Sequence, residues 1–154
     1  MSEKHKALQL NIVNRKASFE YAFLAKYTAG LQLTGTEVKS VKAGNVNISE
    51  AYCAFESGGL FLKNMHISEF KSGGHYNHEP LRARKLLLKK SELEKIKERI
   101  KEKGLTLIPI KIFLSDTGFI KAEIAVAKGK KLFDKREDVK ERDVERQLKR
   151  REYD

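Results

Sequence analysis

A chain of 154 residues holds one compact domain and leaves room for little beyond an appendage. With 32 Lys and Arg against 21 Asp and Glu the formal charge is +11, so the expected partner is a polyanion. No apolar run approaches the roughly 20 residues of a spanning helix, and the start, Met1 to Asn11, lacks the apolar core of a secretory signal; a cytoplasmic location is expected. The single cysteine, Cys53, excludes an intrachain disulfide and sits in an alternating stretch, which reads as a small buried hydrophobe without chemistry.

In chain order, Asn14 can cap a first helix in which Phe19, Phe23 and Leu24 recur at helical spacing and Gly30 supplies the stop. A strand is expected near Leu31 to Leu33, then a short helix from a Thr36 cap to Gly44, showing Lys39 and Lys42 to solvent. Val46, Ile48 and Tyr52 alternate and pair through the Ser57-Gly58-Gly59 turn with Leu60 and Leu62. Another strand falls around Leu86 to Leu88. Ser91 and Glu94 form a capping box for a helix that buries Leu93, Ile96 and Ile100 and ends at Gly104. A last hairpin sets Ile108, Ile110, Ile112 and Leu114 against Ile120, Ala122, Ile124 and Val126 across Asp116-Thr117-Gly118, with Pro109 at an edge or bulge. About six short strands and about three helices, mainly β with α, suit a small closed antiparallel barrel, although alternation alone does not separate a barrel from a curled open sheet.

Composition then changes. Residues 128 to 154 hold 11 Lys or Arg and 8 Asp or Glu and too few apolar groups for a core. The expected division is a β-barrel domain over 1–133 and a charged tail over 134–154, disordered or helical.

Basic residues gather in three segments: Arg15-Lys16; the stretch Lys71 to Lys90, net +5 with Glu79 as its one acid; and Lys128-Gly129-Lys130-Lys131. Converging on one face, they would displace counterions from RNA, while His75 and Tyr76 could stack on unpaired bases. The alternative for any one segment is a solvated basic loop. His75, His78 and Glu79 suggest metal ligands, but no further His or Cys cluster completes a site; the Gly-Gly pairs read as turns, and most acids lie on solvated helical faces. No metal, cofactor or catalysis is expected.

Five segments in order, Asn14-Arg15-Lys16, Gly35-Thr36-Glu37-Val38-Lys39-Ser40, Arg82-Ala83-Arg84-Lys85-Leu86-Leu87-Leu88, Ala127-Lys128-Gly129-Lys130-Lys131 and Asp134-Lys135-Arg136-Glu137, resemble the successive signatures of the small protein B (SsrA-binding protein) family, over roughly residues 8 to 150. The resemblance implies an oligonucleotide-binding-type barrel that grips the tRNA-like domain of transfer-messenger RNA. It further implies that the tail enters the empty messenger channel of a stalled ribosome, near the rRNA of the decoding centre, during rescue by trans-translation, the protein catalysing nothing; a monomer is expected. It places Asn14, Glu37, Lys39, Arg84, Lys85 and Leu87 at or beside the RNA, where the basic segments add Arg15, Lys16, Arg82, Lys128, Lys130 and Lys131, and the tail residues Asp134, Lys135, Arg136, Lys140, Arg142, Arg146, Lys149 and Arg150 are expected at the ribosome. Several of these residues have a second reading. Asn14 suits a helix cap, Leu87 a core position, and Glu37 either a helix N-terminus, a hydrogen bond to RNA, or the orientation of a neighbouring cation. Where many relatives carry His-Glu-Tyr, this chain has Phe19-Glu20-Tyr21, so a contact there would rest on stacking by Phe19. The remaining alternatives are a generic RNA-binding module and a small nuclease.

Overall fold

A computed structural model describes residues 10–130 apart from residue 73. Its main element is one antiparallel sheet of strands β1 (Asn11–Val13), β2 (Tyr21–Leu31), β4 (Tyr52–Glu56), β5 (Gly59–Lys63), β7 (Arg84–Leu87), β8 (Leu105–Leu114) and β9 (Ile120–Gly129). Two short strands, β3 (Val46–Asn47) and β6 (His66–Ile67), pair separately, and three α-helices, α1 (Arg15–Glu20), α2 (Gly35–Lys42) and α3 (Lys90–Arg99), flank the sheet.

The expected closed barrel is not formed. Strand order runs β1-β8-β9-β2-β7-β5-β4, so among the described residues no ladder joins the edge strand β4 back to β8, although the curl brings the two side by side. The reasons lie in β8. Pro109 has no N–H to give, the register with β9 shifts between Pro109 and Lys111, and β1 already occupies the edge at Lys111–Phe113. Side chains fill the remaining seam. The Asn14 amide donates to the Ile48 and Pro109 carbonyls, both at 3.1 Å, and Lys16 pairs with Glu50 beside it.

The first helix is much shorter than its apolar spacing suggested. It stops at Glu20, and Phe23 and Leu24 belong to β2, which pairs with β9 from Tyr21 opposite Gly129 to Gly30 opposite Lys121. Phe23 packs toward Ala17 and Ile108 whereas Leu24, at the bulge before Ala25, is 52% exposed, and that apolar doublet imitated a helical period. A full-length ladder with an apolar partner outweighs the weak local preference of a six-to-ten-residue window. Helix α2 starts at a Thr34 cap rather than Thr36, and α3 starts after Lys89, whose N–H donates to Glu92 at 3.2 Å, instead of at Ser91.

The second expected hairpin is present and the first only in part: Val46 leaves it to pair with Ile67 in the β3–β6 ribbon, and Ile48 lies in no strand. The first, β4–β5, turns on Ser57 and Gly58, both at positive φ as a tight primed turn requires. The second, β8–β9, buries Ile112, Leu114, Ile120, Ala122, Ile124 and Val126 inside the curl against Leu60, Leu62, Leu86 and Ile67. The bulge at Pro109 sends Leu107 inward with that set and turns Ile108 out, where it packs with Ala17 and Ala127 under α1. Ile96 anchors α3 to the same core at 0% exposure, and burying an isoleucine contributes about 1.5–3 kcal/mol. Cys53 is buried, and burial pushes its thiol far up, out of the range of a reactive thiolate.

Candidate nucleic-acid interface

Helix α2 begins as a reciprocal cap. The Thr34 hydroxyl accepts the Glu37 N–H at 3.4 Å, and Glu37 Oε1 accepts the Thr34 N–H at 2.8 Å. The same carboxylate is shared with β7 and the turn before it: Arg82 Nη2 donates to Oε1 at 2.6 Å, and Arg84 Nε donates to Oε2 at 2.5 Å. Burial pushes the Glu37 carboxyl up, but the Arg82 hydrogen bond, the Thr34 amide and Arg84 together outweigh it and hold the group down to about 2.

Arg84 is also fully buried. Its remaining donors go to the Met65 carbonyl and to the Glu79 and Pro80 carbonyls at 3.3 and 3.0 Å. Glu37 and Arg84 therefore present nothing to a partner in this conformation and act as a frame. Arg82 is the cation the frame aims outward, with 38% of its side chain exposed and Nη2 also donating to the Gln32 carbonyl at 3.3 Å.

Alternation along β7 buries Arg84 and Leu86 and exposes Lys85 and Leu87. Leu87 lies opposite Gly30 on β2, and Gly30 opposite Lys121 on β9, so the three form one row on the outer face. Gly30 keeps the row low; a Cβ there would stand 3.4 Å from that of Leu87. Leu87 is 51% exposed and Phe119, at the mouth of the β8–β9 turn, 69%, and they flank a groove of about 450 Å³ floored by Leu31, Leu33 and Val38. Leu87 is thus a surface residue, not barrel core. Phe119 and Lys121 escaped the sequence reading; the one signal was a large apolar residue directly after the Gly118 turn.

The three basic segments do not converge on one face. Lys130 ties the third to the first: its N–H donates to the Glu20 carbonyl at 2.8 Å and its Nζ to the Ser18 carbonyl at 3.2 Å, beside exposed Arg15 and Lys16, with exposed Lys128 opposite Ala22. Arg82, Lys85 and Leu87 lie by the other end of β2, about 30 Å away along the strand at 3.3 Å per residue. Exposed Lys39 stands over the Phe70 ring, 5.2 Å from its centroid. Asn14 is turned inward, accepting the Ala17 N–H at 3.1 Å as a helix cap while clamping the seam. His78 is buried; Nε2 faces the Ile67 carbonyl at 2.8 Å, which makes it the donor, and Nδ1 meets the Thr36 hydroxyl at 2.9 Å. Both nitrogens of the suggested metal ligand are therefore occupied. Lys131, Asp134, Lys135, Arg136, Lys140, Arg142, Arg146, Lys149, Arg150 and the boundary at 133/134 lie outside the described residues.

A curled seven-stranded sheet carrying cations at both ends of its long strand and an apolar groove beside one of them defines a basic, polyanion-binding β protein. The family model described as SmpB protein matches residues 11–153. The SsrA-binding protein of Cytophaga hutchinsonii is 53% identical over 97% of this chain and 98% of its own length, and that of Gloeobacter violaceus 47% identical over 94% and 95%. A solved structure described as "tmRNA-SmpB: a journey to the center of the bacterial ribosome" superposes with a TM-score of 0.67 at 41% identity, covering 80% of this chain and 86% of its counterpart. The chain belongs to the SmpB protein family.

Proposed function

We propose that the protein binds transfer-messenger RNA and acts with it on the ribosome in trans-translation. Membership of the SmpB family carries this reading, together with the 41% identical structure whose description joins SmpB, tmRNA and the ribosome. The finer form is that the body grips the tRNA-like domain through Arg82, Lys85 and the Leu87 groove. Phosphates meet the cations, and an unstacked base or ribose edge meets the apolar floor. Glu37 and Arg84 serve this grip as positioning residues, since they fix where Arg82 points. Residues 134–154 enter the messenger channel of a stalled ribosome, in the cytoplasm, and the protein catalyses no reaction of its own.

The test pairs two measurements on one truncated protein lacking residues 134–154. Affinity for an isolated tRNA-like RNA should stay within about twofold, while tagging of stalled nascent chains in a reconstituted translation system should be lost. Full tagging by the truncated form would remove the tail from the mechanism, and equal affinity of the intact chain for unrelated single strands would favour a generic RNA-binding module instead.

A further inference from the structure

We propose that the loop between β6 and β7 is a separate RNA-binding surface that stacks one unpaired base on Tyr76. This goes beyond the reading above, because it needs no tRNA-like fold in the RNA and uses none of the residues of the Leu87 groove.

Tyr76 closes a short 3-10 turn, Gly74–Tyr76, and is 92% exposed. So large a ring left in solvent offers both faces to a partner. The chain on its C-terminal side is held by hydrogen bonds. Asn77 accepts the Phe70 N–H at 3.0 Å and donates back to the Phe70 carbonyl at 2.6 Å, closing the loop on itself. His78 is fixed at both ring nitrogens, Ile67 donates to the Pro80 carbonyl at 3.0 Å, and Ser68 donates to the Asn45 carbonyl at 3.0 Å. The Asn77 and His78 contacts hold the chain directly after Tyr76, and its ring stands in solvent, where a base can reach it without displacing a protein contact.

The surroundings suit a nucleotide. On the other branch of the loop Phe70 carries the Lys39 ammonium on its face and borders a groove of about 530 Å³ with Asn45, Ser68 and Lys71. Lys39, Lys42 and Lys71 are the exposed cations here and Glu69 and Glu79 the exposed acids. The face is thus only weakly cationic, so the ring supplies most of the affinity and the phosphates little. Base stacking on an aromatic side chain is tolerant of sequence, and its salt dependence is shallow beside that of a phosphate-tracking surface.

The test uses the full chain and a six-nucleotide unpaired RNA with 2-aminopurine at its centre. Stacking should quench the fluorophore saturably. Tyr76→Phe should keep the quench, and Tyr76→Ala should abolish it and weaken binding about five- to 150-fold, the range converted from about 1–3 kcal/mol per stacked base. All three proteins should share one melting temperature, because Tyr76 packs on little. Equal quenching by the wild type and Tyr76→Ala, or no quenching by the wild type, would overturn the proposal. A parallel titration with a folded tRNA-like RNA reports on the Leu87 groove by itself, so either surface can fail while the other stands.

Discussion

Arg84 donates its Nε–H to Glu37 at 2.5 Å, with neither side chain exposed to solvent, and this single contact ties β7 to the first turn of α2 across 47 positions of sequence. Removing Arg84 leaves the buried Glu37 with Arg82 and the Thr34 amide alone, and leaves the Met65, Glu79 and Pro80 carbonyls without their donor. Arg84→Ala should destabilise the fold by about 3–5 kcal/mol, whereas Arg82→Ala, at a half-open position, should stay near 1 kcal/mol while weakening RNA binding. Urea unfolding of both variants checks the ranking, and equal losses would place Arg82 in the frame as well.

The same pair sets the acid limit of stability. The Glu37 carboxyl is lowered from 4.5 to about 2 on folding, so its contribution is present in full above the unfolded value and is lost as pH falls through the folded one. The window is therefore pH 5 to 2, and the contribution at stake is on the order of 3 kcal/mol. Glu37→Gln should flatten the stability profile across that window, as followed by denaturant midpoints at successive pH values; an unaltered slope would assign acid lability to other carboxylates.

Asn14 separates two roles by one atom pair. Aspartate is as good a helix cap as asparagine and suits the helix N-terminus better. It has no N–H to give the Ile48 and Pro109 carbonyls, and it would set a carboxylate against them. Asn14→Asp should therefore destabilise by about 2–4 kcal/mol. A neutral or stabilising result would mean that capping is its whole contribution.

Leu87 and Lys85 should affect binding without affecting folding. Both face outward on β7, so Leu87→Ala and Lys85→Ala should shift stability by no more than about 0.5 kcal/mol. Lys85→Ala should reduce the log-log salt slope of tRNA-like RNA binding by about 0.7–0.9, the value of one phosphate contact, and Leu87→Ala should weaken binding at every salt concentration with the slope unchanged. Titrations at four salt concentrations distinguish the two, and a slope change for Leu87→Ala would mean the groove acts by positioning cations.

The β8–β9 hairpin, the turn of the β4–β5 hairpin and the helical stretches of α2 and α3 were legible because each rests on local chemistry, a turn residue at positive φ or a run of periodic apolar groups, while the caps were displaced by two residues, to Thr34 and Lys89. What was not legible depended on partners distant in sequence. The Tyr21–Leu31 strand is selected by β9, and its bulge disguised the alternation. Barrel closure failed on the seam between β4 and β8, which no spacing encodes. Among the site residues, sequence separated basic from acidic but not inward from outward. Arg84 and Lys85 are neighbours of the same charge class, and only the parity of β7 decides that one builds the interior and the other faces solvent.

The seam also divides the molecule unequally when it breathes. The β4–β5 hairpin is joined to the rest of the sheet through the Leu60–Leu62 ladder with β7, and its far edge has no backbone partner among the described residues. Its amides should therefore exchange with solvent deuterium through a partial opening, at a free energy below that of the β2–β9–β8 block, whose strands are laced along nearly their full length. The hairpin is a leaf hinged on β7, the strand that also presents Lys85 and Leu87, so an RNA held at those side chains would slow exchange in a hairpin it does not touch.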